Sequence, residues 1–287
     1  MNTTEPQSLL DQLIAVIEPR ARLLTAYSGG VDSTVVAAAA RLALGRANAL
    51  AAIGDSPSLP RHELDEARRM AAKLDIELIE VRPNEQADPG YRANAGDRCY
   101  FCKTNLYDVL GATAKQRGIR FIANGTNADD TGDHRPGLVA AAEHEIVSPL
   151  LEAGCGKTQV RQLAEHLGLP NADKPAAACL ASRIQYGTEA TVERLSMIER
   201  AEDVLRELGF RGFRVRHHEA GSTKAALIAR IEVPADQLPR LADDAVRRRI
   251  VDALSRIGYT YITLDLAGFR SGSGNALLSI RDDSQNG

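Results

Sequence analysis

Six consecutive residues near the N-terminus have the composition of a phosphate-binding turn. They read Ser28-Gly29-Gly30-Val31-Asp32-Ser33 and follow an apolar run that ends at Tyr27. The two glycines let backbone N–H groups approach an anion, the start of the following helix adds partial positive charge, and the two serine hydroxyls can donate further hydrogen bonds. Asp32 would repel phosphate unless a Mg²⁺ ion lies between them. The pattern therefore predicts binding of a metal-bridged pyrophosphate group.

The cysteines form a second candidate centre. Cys99 and Cys102 have the C-x-x-C spacing of a metal knuckle or a redox pair, and Cys179 lies in a proline-flanked loop far along the chain. Three thiolates could hold three irons of a cubane cluster and leave one iron open, or hold zinc with a fourth ligand from water or substrate. Chance burial as small core residues is the alternative. Cys155 stands between two glycines without such spacing, and we interpret it as incidental.

Charged residues in the last third of the chain suggest an anion site. Arg214 and Arg216 lie two apart on one predicted strand, so they share a face. Two guanidinium groups on one face suit a phosphate dianion, although a solvated basic edge strand is the alternative. Glu232, near the end of the next predicted strand, is a candidate metal or substrate ligand. Glu202 belongs to a helix crowded with charge, and we expect it on the exposed face.

Short apolar runs alternate with helical segments in the first half of the chain, which is typical of stacked β-α units and a parallel sheet. Ligands of open α/β sheets lie beyond the carboxyl ends of the strands, so Gly125 and Asn127, which follow the fourth strand, should flank the nucleotide. The predicted strands span residues 23–27, 49–53, 78–81 and 121–123, with a further strand end at 148–150, and the predicted helices span 33–44, 62–74, 105–117 and 157–167.

A long loop over residues 169–188 separates this region from a different pattern. A helix is predicted over 191–208 and another over 242–257, with strands at 213–217, 227–233 and 259–264. This order is typical of a small α+β domain. We therefore predict a doubly wound α/β nucleotide-binding domain over residues 1–185, and a smaller α+β domain for substrate binding and oligomerisation over 186–287.

The composition excludes several classes of protein. Of the 287 residues, 44% are apolar and 25% charged, as in ordinary globular proteins. The net charge of -3 provides no global field for a polyanion, which argues against a nucleic-acid partner. No apolar run reaches the roughly 20 residues that span a bilayer, and no secretion signal is recognisable. We therefore expect a cytoplasmic protein without a membrane partner, whose cysteines are not a disulfide framework.

The strand, glycine turn and helix start around Ser28–Ser33 resemble the PP-loop ATP pyrophosphatases over roughly the first 170 residues. That family includes asparagine, GMP and NAD synthetases and tRNA thiolation enzymes, which share the fold of the adenine nucleotide alpha hydrolases and cleave ATP to AMP and pyrophosphate. The resemblance implies ATP and Mg²⁺ as ligands. It also implies that loops such as the one with Gly125 and Asn127 contact the adenine, the ribose and the metal.

Further motifs narrow the resemblance to one branch, the LarE family of ATP-dependent sulfur transferases in nickel-pincer nucleotide biosynthesis. Members adenylate the carboxylates of pyridinium-3,5-biscarboxylic acid mononucleotide and replace oxygen with sulfur. The resemblance implies that Arg214 and Arg216 hold the phosphate of this nucleotide, and that the protein is a homo-oligomer. The similar runs extend over nearly the whole chain: Ser28–Ser33, Cys99–Lys103, Gly125–Asp130, Arg135–Gly137, Cys179–Arg183, Arg214–His218 and Ala229–Val233.

The resemblance also implies two possible sources of sulfur. In some members the cysteine at the position of Cys179 gives up its own sulfur and becomes dehydroalanine, whereas in others it joins a C-x-x-C pair to bind a 4Fe-4S cluster. Because Cys99 and Cys102 are present, we expect the cluster type, with Cys179 and Asp32 as catalytic residues. Two rival functions stay open: a tRNA thiolation enzyme of the same superfamily, and a non-enzymatic module that senses ATP or metal.

Overall fold

A computed structural model describes residues 5–132, 136–175, 177–221 and 226–270. Arg135, which belongs to one of the family-like runs, lies outside these residues. The described chain forms two compact units, the first built from residues up to Glu85 and from Cys99 to Ala177, and the second from Gln86–Arg98 and the residues after Ala177. The domain boundary after residue 185 stays a prediction. No helix in the described ranges is both long enough and apolar enough to cross a membrane.

A parallel sheet forms the centre of the first unit. Its four strands have the order β3-β2-β1-β4 and run parallel, as the sequence predicts: β1 (Leu23–Ala26), β2 (Ala49–Gly54), β3 (Glu77–Val81) and β4 (Phe121–Ala123). The helices up to the end of this unit are α1 (Pro6–Ile17), α2 (Val31–Leu44), α3 (Arg61–Lys73), α4 (Pro89–Arg92), α5 (Arg98–Gln116), α6 (Pro136–Glu143), α7 (Pro149–Glu152) and α8 (Lys157–His166), of which α4 belongs to the second unit.

Helices cover both faces of this sheet. Leu23 of β1 packs into a core formed with α1, α2 and α8, whereas its neighbour Leu24 packs into a second core with α5 and α6. Successive side chains of a strand point to opposite faces, and both leucines are fully buried. The doubly wound α/β fold that the sequence predicts is thereby confirmed for the first unit.

Two local predictions for the first unit are wrong. Helix α5 begins at Arg98 rather than near Asn105, so its first turns contain Cys99 and Cys102. The strand end predicted at residues 148–150 is a helix start, because a proline is well accommodated at the first position of a helix and α7 begins at Pro149. Only the preceding residue, Val147, pairs with β4, through a single parallel bridge.

The second unit is an α+β arrangement. Strands β5 (Arg214–Ala220) and β6 (Ala226–Glu232) are antiparallel, and β7 (Tyr261–Leu264) lies parallel to β6. Helices α9 (Val192–Glu207), α10 (Leu238–Ala242) and α11 (Asp244–Ile257) complete it. Thr191 caps α9 by accepting a hydrogen bond from the backbone N–H of Arg194. One hydrophobic core joins β5 and β6 to α9 and α11, which fixes the strand that carries Arg214 and Arg216.

Candidate functional site

The predicted phosphate loop has the geometry of an anion site. It connects β1 directly to α2, whose first backbone N–H groups have no carbonyl partner within the helix and point out of its N-terminus. The backbone N–H of Ser28 donates to Ser33 Oγ at 3.1 Å, and Ser33 Oγ donates to the carbonyl of Gly30 at 3.1 Å. Gly29 has a φ of 74°, a left-handed conformation that favours glycine. The serines thus fix the shape of the loop.

The loop after β4 lies directly against the phosphate loop. A Cβ atom on Gly125 would lie 2.7 Å from the backbone nitrogen of Ser33 and 3.0 Å from Cβ of Asp32. Asn127, which is almost completely buried, donates from its side-chain amide to Asp32 Oδ1 at 2.9 Å. The structure therefore brings together the predicted ATP-binding residues of the two loops: Ser28, Gly29, Gly30, Asp32, Ser33, Gly125 and Asn127.

Asp32 is the electrostatic centre of these loops. Burial raises the pKa of its carboxyl above the ordinary value, the Asn127 hydrogen bond lowers it, and the nearby charge of Asp130 raises it again. A cation beside Asp32 and Asp130 would relieve both the desolvation and the repulsion, and carboxylate oxygens are ligands that Mg²⁺ prefers. The donor chemistry therefore fits the predicted metal at Asp32.

Lys157 was missed by the sequence reasoning. The run Gly154-Cys155-Gly156-Lys157-Thr158 ends like a nucleotide-binding loop but lacks its first glycine, so it predicts only a turn. The structure places Lys157 at the start of α8, where its backbone N–H donates to Asp129 Oδ2 at 2.6 Å and its ammonium lowers the pKa of Asp32. Its position near Asp32 makes Lys157 a candidate phosphate ligand.

Asn171 and Lys174 support the phosphate loop from the start of the long loop. The amide of Asn171 donates to the carbonyl of Gly29 at 3.2 Å and to Thr34 Oγ1 at 2.9 Å. Lys174 Nζ bonds the carboxylate of Glu63 at 2.5 Å. Neither residue has a sequence signal of its own, because its partners lie over a hundred residues away in the chain.

The C-x-x-C pair lies on one face of α5, since residues three apart on a helix are neighbours. Cys99 is exposed and Cys102 is partly exposed. Over the described parts of the chain, no three Cys, His, Asp or Glu side chains are grouped as metal ligands, so the iron-sulfur site of Cys99, Cys102 and Cys179 stays a prediction. Cys155 is fully buried in the core beside α8, in agreement with its interpretation as incidental.

In the second unit, Cys179 is exposed and begins a short helical turn, Leu180–Arg183. Arg183 is buried and forms a two-pronged ion pair with Glu202, with N–O distances of 3.0 and 3.2 Å. The expectation of an exposed Glu202 is therefore wrong: only 3% of it is exposed. The helical register carries the signal, since Glu202 lies four residues after Ile198 and seven after Leu195, both on the buried face of α9.

The segment before α5 holds the other side of this turn. Asn94 is fully buried, and its amide donates to the carbonyls of Gln185 and Thr188 at 3.0 Å. The guanidinium of Arg98 donates to the carbonyl of Ala181 at 3.1 Å. Within the second unit, residues 86–98 thus fix the backbone that follows Cys179.

The two predicted phosphate-binding arginines have different surroundings. Burial lowers the pKa of Arg214, and the neighbouring guanidinium groups of Arg183 and Arg216 act in the same direction. Arg216 donates to a carboxylate oxygen of Glu232 at 2.9 Å, and Arg230 contacts the other oxygen at 3.2 Å. The carboxylate of Glu232 is completely buried. A metal ligand role for Glu232 would require it to exchange these arginines, and it stays a prediction.

Comparisons with known proteins cover nearly the whole chain. Residues 10–105 match the family model described as NAD synthase. The chain is 43% identical to an uncharacterised protein of Synechocystis over 95% of this chain and 99% of that protein. It is 37% identical to the pyridinium-3,5-bisthiocarboxylic acid mononucleotide synthase of Lactiplantibacillus plantarum over 93% of this chain and 94% of that enzyme. An uncharacterised protein of Methanocaldococcus jannaschii is 26% identical over 87% of this chain and 91% of its own length.

Proposed function

The chain belongs to the family of pyridinium-3,5-bisthiocarboxylic acid mononucleotide synthase and is an ATP-dependent sulfurtransferase with a PP-loop, and we propose that it converts the carboxylates of pyridinium-3,5-biscarboxylic acid mononucleotide to thiocarboxylates. The observation that carries this proposal is the contact of Asp32 with Asn127, which joins the phosphate loop to the loop after β4. AMP and pyrophosphate are the other products.

In the first step, the phosphate loop and Lys157 hold the phosphates of ATP, and Asp32 with Asp130 supplies oxygen ligands for Mg²⁺. A carboxylate oxygen of the substrate attacks the α-phosphorus, and the bond from that phosphorus to the bridging oxygen of pyrophosphate breaks. The helix N-terminus stabilises the negative charge on the leaving group. Mg²⁺ contributes Lewis-acid neutralisation of the phosphates when bound. The product is an acyl-adenylate, whose carbonyl carbon is open to a sulfur nucleophile.

In the second unit, the nucleotide substrate is held by its phosphate. Arg214 lies beside Arg183 and Arg216, and this concentration of positive charge lowers the pKa of Arg214 in addition to the effect of burial. A phosphate dianion would relieve that repulsion, and guanidinium groups match its geometry. These observations support Arg214 and Arg216 as the substrate phosphate site.

The sulfur that attacks the acyl-adenylate comes through Cys179, which is exposed at the start of its turn. We propose that Cys179 acts together with Cys99 and Cys102, since the chain carries all three thiols and the first two lie on one helix face. A 4Fe-4S cluster, when bound by these residues, supplies sulfide without consumption of the protein. The alternative is that Cys179 loses its own sulfur and becomes dehydroalanine. We further propose a cytoplasmic homo-oligomer.

The proposal is tested by incubating anaerobically purified protein with ATP, Mg²⁺ and the mononucleotide. We expect pyrophosphate release together with a substrate mass increase of one sulfur-for-oxygen exchange. Asp32→Asn should abolish pyrophosphate release, whereas Asp75→Asn, on the surface after α3, should not. Wild-type protein that binds ATP without pyrophosphate release would reject the enzyme and favour the sensor. Thiolation of tRNA in place of the mononucleotide would favour the rival enzyme class.

The source of sulfur is decided by two measurements on the same sample. Stoichiometric iron and sulfide with an unchanged protein mass after turnover would support the cluster route. Loss of one sulfur with its hydrogens from the protein, located at Cys179 by peptide mass spectrometry, would instead establish the sacrificial route. A Cys99→Ser variant that keeps full activity would also count against the cluster.

A further inference from the structure

One buried arginine determines the backbone conformation of Cys179. Nη1 of Arg183 donates to the carbonyl oxygens of both Ala178 and Cys179, the second at 2.8 Å. These carbonyls belong to the two peptide groups that flank the Cα atom of Cys179. Because both peptide planes are bound to the same nitrogen, the φ of -65° and ψ of 157° at Cys179 are fixed together. The direction of the Cα–Cβ bond, and with it the region open to the sulfur, follows from these two angles.

The rest of the same guanidinium is bound by Glu202. Nε contacts one carboxylate oxygen and Nη2 the other, and the first oxygen also accepts the backbone N–H of Val215 at 3.1 Å. Two parallel hydrogen bonds between a planar fork and a carboxylate fix orientation as well as distance. Glu202 lies on α9 and Val215 on β5. The turn of Cys179 is thereby aligned to the strand that carries Arg214 and Arg216.

Ser182 adds two further donors to the same carbonyl. Its backbone N–H lies 3.0 Å and its hydroxyl 2.8 Å from the carbonyl oxygen of Cys179. The backbone of Cys179 is therefore bound by several donors while its side chain stays exposed. A buried ion pair such as Arg183–Glu202 generally contributes little net stability compared with an apolar pair of similar size. Its placement here serves geometry at an exposed thiol rather than the core.

We propose that Arg183 and Glu202 are positioning residues, which aim the thiol of Cys179 for the sulfur-transfer step; this inference rests on the proposed function. Neither side chain touches the reacting atoms in this role. A misplacement of a reacting group by about 1 Å can cost about 100-fold in rate. Loss of the fork should therefore slow sulfur transfer by that order and leave adenylation, which depends on the phosphate loop, unchanged.

The test separates the two partial reactions in single-turnover experiments. Arg183→Lys keeps the charge opposite Glu202 but cannot donate to the carboxylate and both carbonyls at once. We expect thiocarboxylate formation to fall about 10- to 100-fold and pyrophosphate release to change by less than about threefold. The matched control is Arg194→Lys, which alters an ion pair with Glu219 in the same unit. Equal loss in both partial reactions, or undiminished sulfur transfer, would overturn the proposal.

A second measurement does not depend on turnover. The rate of iodoacetamide alkylation at each cysteine is followed by peptide mass spectrometry without substrates, and Cys99 is the internal reference. We expect Arg183→Lys to change the rate at Cys179 severalfold and the rate at Cys99 little. Wild-type protein that forms no thiocarboxylate would defeat the proposed function, whereas unchanged alkylation of Cys179 in the variant would defeat this inference.

If Arg183→Lys does not fold, Ser182→Ala provides the second variant. It removes one hydroxyl donor to the Cys179 carbonyl and leaves the buried ion pair in place. A severalfold slower sulfur transfer at unchanged pyrophosphate release is the expected result. Wild-type rates in both partial reactions would show that this carbonyl needs no such fixation, and the positioning proposal would fall.

Discussion

Replacement of Gly125 by alanine should damage ATP binding through a clash of backbone with side chain. The new Cβ would lie 2.7 Å from the backbone nitrogen of Ser33, whereas non-bonded heavy atoms prefer about 3.5 Å or more. The contact atom belongs to the first turn of α2 and cannot swing aside as a side chain would. The two loops must therefore separate by roughly 0.5–1 Å, and overpacking of this kind costs about 1–3 kcal/mol.

The separation occurs where the phosphates are held, so function should suffer beyond stability. A shift of that size can cost up to about 100-fold in a reaction that depends on fixed geometry. We expect Gly125→Ala to weaken Mg-ATP binding in calorimetry and to slow pyrophosphate release by about 10- to 100-fold. The melting temperature without ATP should fall by several degrees, at about 2–4 °C for each kcal/mol in a chain of this size class.

Gly111 provides the matched control for this substitution. It lies inside α5, and a Cβ atom added there meets no heavy atom within 4 Å. Gly111→Ala should therefore stabilise the protein by about 0.5–1 kcal/mol, because alanine is the better helix former, and should leave ATP binding unchanged. ATP affinity of Gly125→Ala equal to that of Gly111→Ala would refute the role given to the close approach of the two loops.

Three further substitutions test the charges of the two units. Burial raises the pKa of Asp32, so stability present below its ordinary pKa is lost as pH rises through the raised value; Asp32→Asn should raise the melting temperature at pH 7, with a gain that disappears near pH 4. Burial acts to raise the pKa of Glu63, but hydrogen bonds from His62 and Lys174 lower it to about 2, so the pair stabilises the fold above pH 4.5 and this contribution is lost as pH falls toward 2. Lys174→Met should therefore lower the melting temperature at pH 7, and the difference from wild type should shrink as pH falls below 4.5. Arg214→Gln should raise KM for the mononucleotide about 10- to 100-fold, the equivalent of a charged hydrogen bond of about 1.5–3 kcal/mol, with KM for ATP within about twofold.

The fold of the first unit could be predicted because its signals are local. Apolar runs such as the one that ends at Tyr27 are short and continuous, as expected of strands buried on both faces, and a glycine turn and a helix follow in the same stretch. The six-residue phosphate loop contains its own explanation, since its serines bond one another and the backbone between them. A sequence reader needs no distant partner to recognise it.

The missed residues share the opposite property. The charge of Glu202 suggested the exposed face of α9, yet its partner Arg183 lies in a loop that no periodicity connects to that helix. Lys157 was dismissed because its own loop lacks a glycine, and its proximity to Asp32 depends on how α8 packs. Asn94 holds carbonyls about ninety residues away in the chain. Such contacts arise from tertiary packing, which a local pattern does not encode.

The net charge of the chain conceals a local excess in the second unit. Four arginines, Arg183, Arg214, Arg216 and Arg230, are associated with three carboxylates, Glu202, Glu232 and Asp265, which leaves one positive charge. Whole-chain charge argues only against a long polyanion. A phosphate dianion needs a few guanidinium groups held in place, and these carboxylates hold them. The buried acids therefore do not cancel the anion site: they fix its arginines, and the uncompensated charge remains for the substrate.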